Sequence, residues 1–310
     1  MSADDERFSI CGVREVLCLV RHRSNRWHQL KPCSKCDLVE YCSDQCQKDH
    51  LQEHEPICKE RAAELYDELL FKQPESSHLG DCPICFLPIP SEADFSRVKA
   101  CCGQIICAGC MHAHFVAGRV KEIRCPFCRH LTPETNEESE KLHMERAESN
   151  DPIALARLGS ITYGRGDYER AVHYCYWSRA AALGDVDSMH HLATMYRKGE
   201  GVEEDRVKER ALLETAAIAG HPGARYNLGC CEANYCGRFD RAVKHWIISA
   251  ALGFEYPIKA LKECYKEGHV SKDYTAALRA YQAAVDAARS PQRQAVKAWE
   301  ACCNEQNASK

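Results

Sequence analysis

The chain has 310 residues, and its 41 lysines and arginines against 45 aspartates and glutamates leave a formal charge of -4 at neutral pH. That length suits about two ordinary domains, and so even a charge balance makes no general case for binding nucleic acid. No apolar run is long enough to predict a membrane-spanning helix, and the opening MSADDERFSI lacks the basic-then-apolar pattern of a secretory leader.

Cysteine usage divides the chain. Fifteen of the 22 cysteines precede residue 130, and the rest are single residues or adjacent pairs. With no secretory pattern, the expected location is cytoplasmic or nuclear. There, closely spaced cysteines read as metal ligands rather than disulfides.

The first cysteine-rich stretch, residues 1–58, carries Cys33-x2-Cys36, then Cys42-x3-Cys46, then His54-x3-Cys58. A C-x2-C turn and a His-x3-Cys helical turn together supply one tetrahedral site. Cys42 and Cys46 share a helix face and need upstream partners. The donors available there are Cys11, Cys18, His22 and His28, none of them in a C-x2-C pair. One basic cluster, Arg14 to Lys31, lies in the same stretch.

On CSKC, YCSDQCQKDH and HEPIC, residues 11–58 resemble the MYND-type zinc finger. The resemblance implies that Cys33, Cys36, His54 and Cys58 share one zinc. It implies that Cys42 and Cys46 share another with an upstream pair, and that the finger binds short proline-containing peptides. Two departures stand out: the upstream C-x2-C is missing, and His50 occupies the usual tryptophan position. Helical spacing of apolar residues next predicts a helix over 56–73, with Pro56 in its first turn. The breaker-rich QPESSHLG after it predicts a linker.

Eight cysteines fall between Cys82 and Cys128: Cys82-x2-Cys85, Cys101-Cys102, Cys107-x2-Cys110 and Cys125-x2-Cys128. That is enough sulfur for two tetrahedral sites. Thiolates in closed four-coordinate geometry select zinc. The stretch resembles a RING-type zinc finger on CPIC, CCGQIICAGC and CPFCR. The resemblance implies that ligand pairs one and three hold one zinc: Cys82, Cys85, Cys107 and Cys110. Pairs two and four hold the other, with Cys102, Cys125 and Cys128 supplying three ligands. Gln104 stands where the family has histidine, and a glutamine amide is a poor zinc ligand. Cys101 is the favoured replacement, with His112 and His114 also in reach. Arg124 and Arg129 are expected to offset part of the thiolate charge.

Residues 131–149 are acidic and poor in apolar residues, which predicts a spacer with a solvated helix near 137–147. From residue 150 the chain repeats. Leu158, Leu192, Leu228 and Leu261 recur at gaps of 34, 36 and 33 residues, in step with Gly184, Gly220 and Gly253. A period in the thirties with alanine contacts and glycine ends predicts stacked helical hairpins. The first pairs a helix over 153–163 with one over 168–183. On YRKGEGVEED the repeat resembles the Sel1-like unit, a relative of the tetratricopeptide repeat. Four repeats are expected to end near residue 288, and Ser290-Pro291 opens a closing helix through Trp299. The solenoid aromatics, Trp177 and Trp246 among them, are expected to pack between repeats rather than line a peptide face. His190 and His191, with no cysteine nearby in sequence, read as packing or surface residues rather than metal ligands.

The expected fold class is multidomain: small zinc-stapled α+β fingers followed by an all-α solenoid of Sel1-like helical hairpins. The expected divisions are 1–58 MYND-like finger, 59–80 helix and linker, 81–130 RING-type finger, 131–149 acidic linker, 150–288 repeats and 289–310 capping helix and tail. No phosphate loop, nucleophile elbow or paired carboxylate stands out. The enzymatic reading is a RING-type E3 ubiquitin-protein ligase, which acts by positioning a charged ubiquitin-conjugating enzyme. By resemblance, Ile84, Pro126 and Arg129 would contact that enzyme, while the solenoid and MYND-like finger recruit protein or peptide ligands. The alternative is a non-enzymatic adaptor built from the same modules.

Overall fold

The computed structural model describes residues 31–36, 40–41, 44–90, 96–117, 123–174, 176–268 and 273–308. The chain divides into two compact units, Met1–Lys72 and Gln73–Lys310.

In the first unit, β1 (Lys31–Pro32) pairs antiparallel with β2 (Glu40–Tyr41), followed by α1 (Asp44–Asp49) and α2 (Leu51–Leu70). Helix α2 begins five residues before the predicted start at 56, so Pro56 sits inside it rather than in its first turn. The early start puts His54 and Cys58 four residues apart on one helical face, where both reach the same centre. Pro56 costs one i to i-4 hydrogen bond in exchange.

The second unit opens with a small cysteine-rich finger. Its strands β3 (Ser96–Val98) and β4 (Ile105–Cys107) form an antiparallel hairpin in which Val98 faces Ile105. Helix α3 (Ala108–Ala117) follows. The finger's buried core is Cys82, Ile89, Ile106, Cys107 and Cys110. So small a core cannot hold a fold without added staples.

Next comes α4 (Asn136–Glu148), capped by the Thr135 hydroxyl accepting from the Glu138 N–H at 3.1 Å. The acidic stretch is therefore more than a spacer. His143 and Ala147 are buried, and Ala147 joins Ala154, Leu155, Leu158 and Ala180 in one core cluster. The charged residues cover only the outer face of this helix. The segment before the finger is likewise docked rather than free, since the His78 N–H donates to the Gly220 carbonyl at 3.2 Å.

Among the described residues, the repeats form four helical hairpins. They are α5 (Pro152–Gly164) with α6 (Trp177–Ala182), α7 (Val186–Lys198) with α8 (Arg206–Ile218), α9 (Pro222–Asn234) with α10 (Phe239–Ala251), and α11 (Tyr256–Lys266) with α12 (Asp273–Ala287). Helix α13 (Pro291–Ala308) closes the array, its Arg293 N–H capped by Ser290 Oγ at 3.2 Å. It runs past the predicted end at Trp299.

Two hairpins share a tryptophan lock. Trp177 Nε1 donates to the Ala156 carbonyl at 3.2 Å, and Trp246 Nε1 to the Tyr226 carbonyl at 3.3 Å. Each indole lies on a helical glycine, Gly159 or Gly229, where an added Cβ would come within 2.5 Å of the ring. Both tryptophans are buried, as the packing expectation required. Trp177 follows Gly159 by 18 residues and Trp246 follows Gly229 by 17. The longer spacing accompanies a π-helical turn, Arg170–Tyr174, in place of the continuous helix predicted over 168–183. Such a turn absorbs an extra residue while keeping the downstream side chain in register. The Ser178 hydroxyl donates to the Val172 carbonyl at 2.7 Å, so that carbonyl is satisfied.

Candidate metal centres

Among the described residues three sets of four ligands converge, and in each set the donor atoms lie within 4.8 Å of one another: Cys33, Cys36, His54 and Cys58; Cys82, Cys85, Cys107 and Cys110; Cys101, Cys102, Cys125 and Cys128. The first set is formed by the loop after β1 and the first turns of α2. Its Cys33 and Cys58 sulfurs are 3.8 Å apart, and Cys36 Sγ is 3.2 Å from His54 Nε2. Cys42 lies outside the described residues, as do the upstream donors Cys11, Cys18, His22 and His28 and the side chain of Cys46.

In the finger the ligand pairs interleave, first with third and second with fourth. Cys85 and Cys107 sulfurs lie 3.8 Å apart, Cys102 and Cys125 3.7 Å, and Cys101 and Cys128 3.4 Å. A tetrahedron with zinc–sulfur bonds near 2.3 Å has edges of about 3.8 Å, so these separations fit one ion in each set. Cys101 is in the second set, while His114 turns away and its Nε2 meets the Arg124 carbonyl at 2.8 Å.

The two CPxC turns are built alike. The N–H groups of Phe86 and Arg129 return to the carbonyls of Cys82 and Cys125, and both residues take positive φ, 56° and 63°. Backbone N–H groups also aim at sulfur: Cys107 N–H donates to Cys82 Sγ and Cys110 N–H to Cys107 Sγ, each at 3.4 Å.

The electrostatics of the three sets follow one pattern. Burial opposes the thiolate at Cys33, Cys82 and Cys125, but hydrogen bonds win. Cys33, with N–H groups of Lys35 and Cys36 and the His54 ring, is lowered to about 6. Cys82 and Cys125 come down to about 7, chiefly through N–H groups of Cys107 and Cys85 and of Cys128 and Phe127 respectively. Their neighbours move the other way. Burial and the adjacent sulfurs push Cys58 up to about 12 and raise Cys101 and Cys110. Each cluster thus favours one thiolate and resists a second. All the ligands of a set can be anionic together only around a cation, and a sulfur-rich closed set fits zinc.

Charge compensation comes from a residue with no motif around it. Of the two expected arginines, Arg124 donates from Nη1 to the Arg129 carbonyl. Arg293, 4% exposed, donates to Cys85 Sγ at 3.5 Å and to the Leu87 carbonyl at 3.2 Å. Ile84 is 39% exposed, Pro126 is half-buried and Arg129 is exposed; Phe86, 76% exposed, and Phe127 extend the apolar surface of the two turns.

A second polar cluster lies between the finger and the first helices of the hairpins. His78 Nε2 meets Asp187 Oδ1 at 2.7 Å, and His221 Nε2 meets the same oxygen at 3.2 Å. The His78 and His221 rings stack at 4.5 Å, with His190 4.4 Å from His221. Asp187 precedes His190 by three residues on the same helix, α7, and folding brings His78 and His221 from elsewhere in the chain to this group. Burial opposes ionisation of Asp187, but hydrogen bonds from His221 and His78 hold its carboxyl well below the usual range. The His221 Nδ1 accepts the Ala224 N–H at 3.0 Å as the cap of α9. A neutral ring then carries its proton on Nε2 and donates it to Asp187, so that nitrogen has no lone pair for a metal. The triad is a hydrogen-bonded lock between the pre-finger segment and the solenoid.

Residues 11–58 match the family model of the MYND finger. Among solved structures, the chain is similar to a protective antigen present in uropathogenic Escherichia coli strains and displaying an SLR fold. That match has 28% identity and a TM-score of 0.41, over 48% of this chain and 33% of that one. It is also similar to the Sel1 repeat protein from Oxalobacter formigenes, with 26% identity and a TM-score of 0.41 over 52% of this chain and 66% of that chain. The chain therefore spans only part of each, a third of the first and just under two thirds of the second. It joins a segment matching the zinc-binding MYND finger to a solenoid of helical hairpins similar to Sel1 repeat proteins.

Proposed function

We propose that this protein is a zinc-dependent adaptor that brings proteins together through its fingers and its helical solenoid. The observation that carries the reading is the closed character of the metal sets. Four protein ligands complete each tetrahedron and leave no open position for water or substrate, which is the arrangement of structural rather than catalytic zinc. Around these staples the hairpins offer an extended surface for protein or peptide ligands, and the MYND-type finger adds a surface for a proline-containing peptide.

A second reading, a RING-type ligase, is favoured by one observation. The interleaved pairs bring two CPxC turns into the same fold, with exposed Ile84 on one and half-buried Pro126 and exposed Arg129 on the other. This is the set a conjugating enzyme would meet. Discharge of ubiquitin from a panel of charged conjugating enzymes separates the readings. The adaptor predicts no stimulation by fully metallated protein with any member. Stimulated discharge that falls on Ile84→Ala with zinc retained, and on Arg129→Ala with enzyme binding intact, would replace the adaptor by the ligase.

A further inference from the structure

Two arginines from opposite ends of the solenoid reach the finger, one beside each metal set. At the C-terminal end, Arg293 on α13 donates to Cys85 Sγ, to the Leu87 carbonyl, and to the Pro88 carbonyl at 2.7 Å. Its backbone lies so close to α3 that a Cβ on Gly109 would come within 2.7 Å of the Arg293 nitrogen. At the N-terminal end, Arg146 on α4 donates to the carbonyls of Lys99 and Ala100, at 3.5 and 3.0 Å, in the turn that leads into Cys101 and Cys102. Its guanidinium fills the space where a Cβ on Gly103 would stand, and Asp151 pairs with it from behind. Between these anchors, Val98 and Ile105 of the finger face a cavity of about 950 Å³ whose other wall comes from α5, α7, α9 and α11, through Ile153, His190, Pro222 and Tyr256.

We propose that the two zinc centres of the finger latch the first and last helices of the solenoid, α4 and α13, onto it, so that metal loading sets whether the cavity face of the hairpins is covered. The inference rests on the zinc reading of the two four-cysteine sets. Four thiolates around one zinc ion carry a net charge of about -2, and an N–H donor on a ligating sulfur both orients the ligand and offsets that charge. Arg293 is that donor for the first set. Arg146 reads the shape of the second, since its carbonyl acceptors point together only while Cys101 and Cys102 are held. A finger whose core is mostly metal-ligating cysteine loses its fold with its metal. Arg293 would then be a buried cation that has lost its three finger partners, Cys85 Sγ and the Leu87 and Pro88 carbonyls, and keeps only the Ala288 carbonyl at 2.6 Å, which drives α13 away from its seat.

The test uses the full-length, zinc-loaded protein. Native mass spectrometry counts the metal, and alkylation with peptide mapping identifies which cysteines are freed as a chelator removes it. Hydrogen exchange then follows each helix before and after chelation. The latch predicts that α4 and α13 lose at least tenfold in protection while α7 to α10 keep theirs. Arg293→Gln should speed zinc loss from the Cys82 set by about 10 to 100-fold and leave the Cys101 set unchanged. Arg146→Gln should do the reverse, and Arg293→Lys should fall between wild type and Arg293→Gln. If both zincs are present and chelation leaves α4 and α13 as protected as before, the latch is wrong. It is equally wrong if either substitution affects both sets alike. A finger that binds no zinc would instead overturn the reading of the centres, an outcome the metal count alone reveals.

Discussion

Gly229→Ala sets two known effects of opposite sign against each other. Alanine stabilises a helix interior by about 1 kcal/mol over glycine. At this position the new methyl would lie 2.5 Å from Trp246 Nε1, 2.7 Å from its Cδ1 and 3.1 Å from the Ala242 carbonyl oxygen. None of those atoms is the free end of a flexible chain, because the indole is buried and bonded to the Tyr226 carbonyl. Overpacking of this kind costs about 1–3 kcal/mol, and displacing the indole forfeits a hydrogen bond worth about 0.5–1.5 kcal/mol. The clash wins, with a net loss of about 1–3 kcal/mol. Gly164 at the end of α5 supplies the matched control, since no atom lies within 4 Å of its would-be Cβ. There the propensity gain should survive, so Gly164→Ala is expected to be neutral or stabilising. Urea unfolding of the zinc-saturated protein, followed by tryptophan fluorescence and far-ultraviolet circular dichroism, measures both. A Gly229→Ala protein as stable as wild type would refute the tryptophan lock as described.

The remaining expectations can be read on the same protein. Cys101→Ser should remove one zinc from the finger, because its sulfur completes the second set; a full metal count in that variant would return the fourth position to a histidine. Stability should fall on acidification below neutrality. Burial lowers His190, His191 and His221, and lowers His143 to about 4, with Arg146 adding to the effect there. The unfolded chain, with histidines near 6.5, then binds more protons, so the stabilisation is complete above that value. It is lost as pH falls through about 6.5 towards the folded value, at up to about 1.4 kcal/mol per pH unit for each group. His143→Gln should flatten the stability–pH slope by about one proton between pH 6.5 and 4; an unchanged slope would show that His143 is not held neutral.

The grouping of the donor side chains was largely legible in the sequence because it is local. C-x2-C and His-x3-Cys spacings dictate which donors one turn can present, and Cys101 could be chosen over a histidine because it adjoins a ligand. The hairpins were legible too, since Leu158, Leu192, Leu228 and Leu261 mark a period and Gly184, Gly220 and Gly253 take the positive φ their ends require. What stayed hidden depends on long-range packing. Arg293 lies 208 residues from the sulfur it meets, and His78 lies 109 residues from Asp187. Neither contact leaves a spacing signature. The acidic run of α4 concealed a buried face carried by only His143 and Ala147, too few for a convincing apolar stripe. A faint signal for the tryptophan lock was present: the Leu-Gly pairs at 158–159 and 228–229, each followed by a tryptophan 18 or 17 residues after its glycine.

The central claim is that zinc, held in closed sets of four protein ligands, staples the fingers of this chain. Native mass spectrometry of the intact protein, before and after denaturation, counts the metal directly. The account predicts at least three zinc ions per chain, one on the Cys33 set and two on the finger, all released on unfolding. Fewer than three would contradict it.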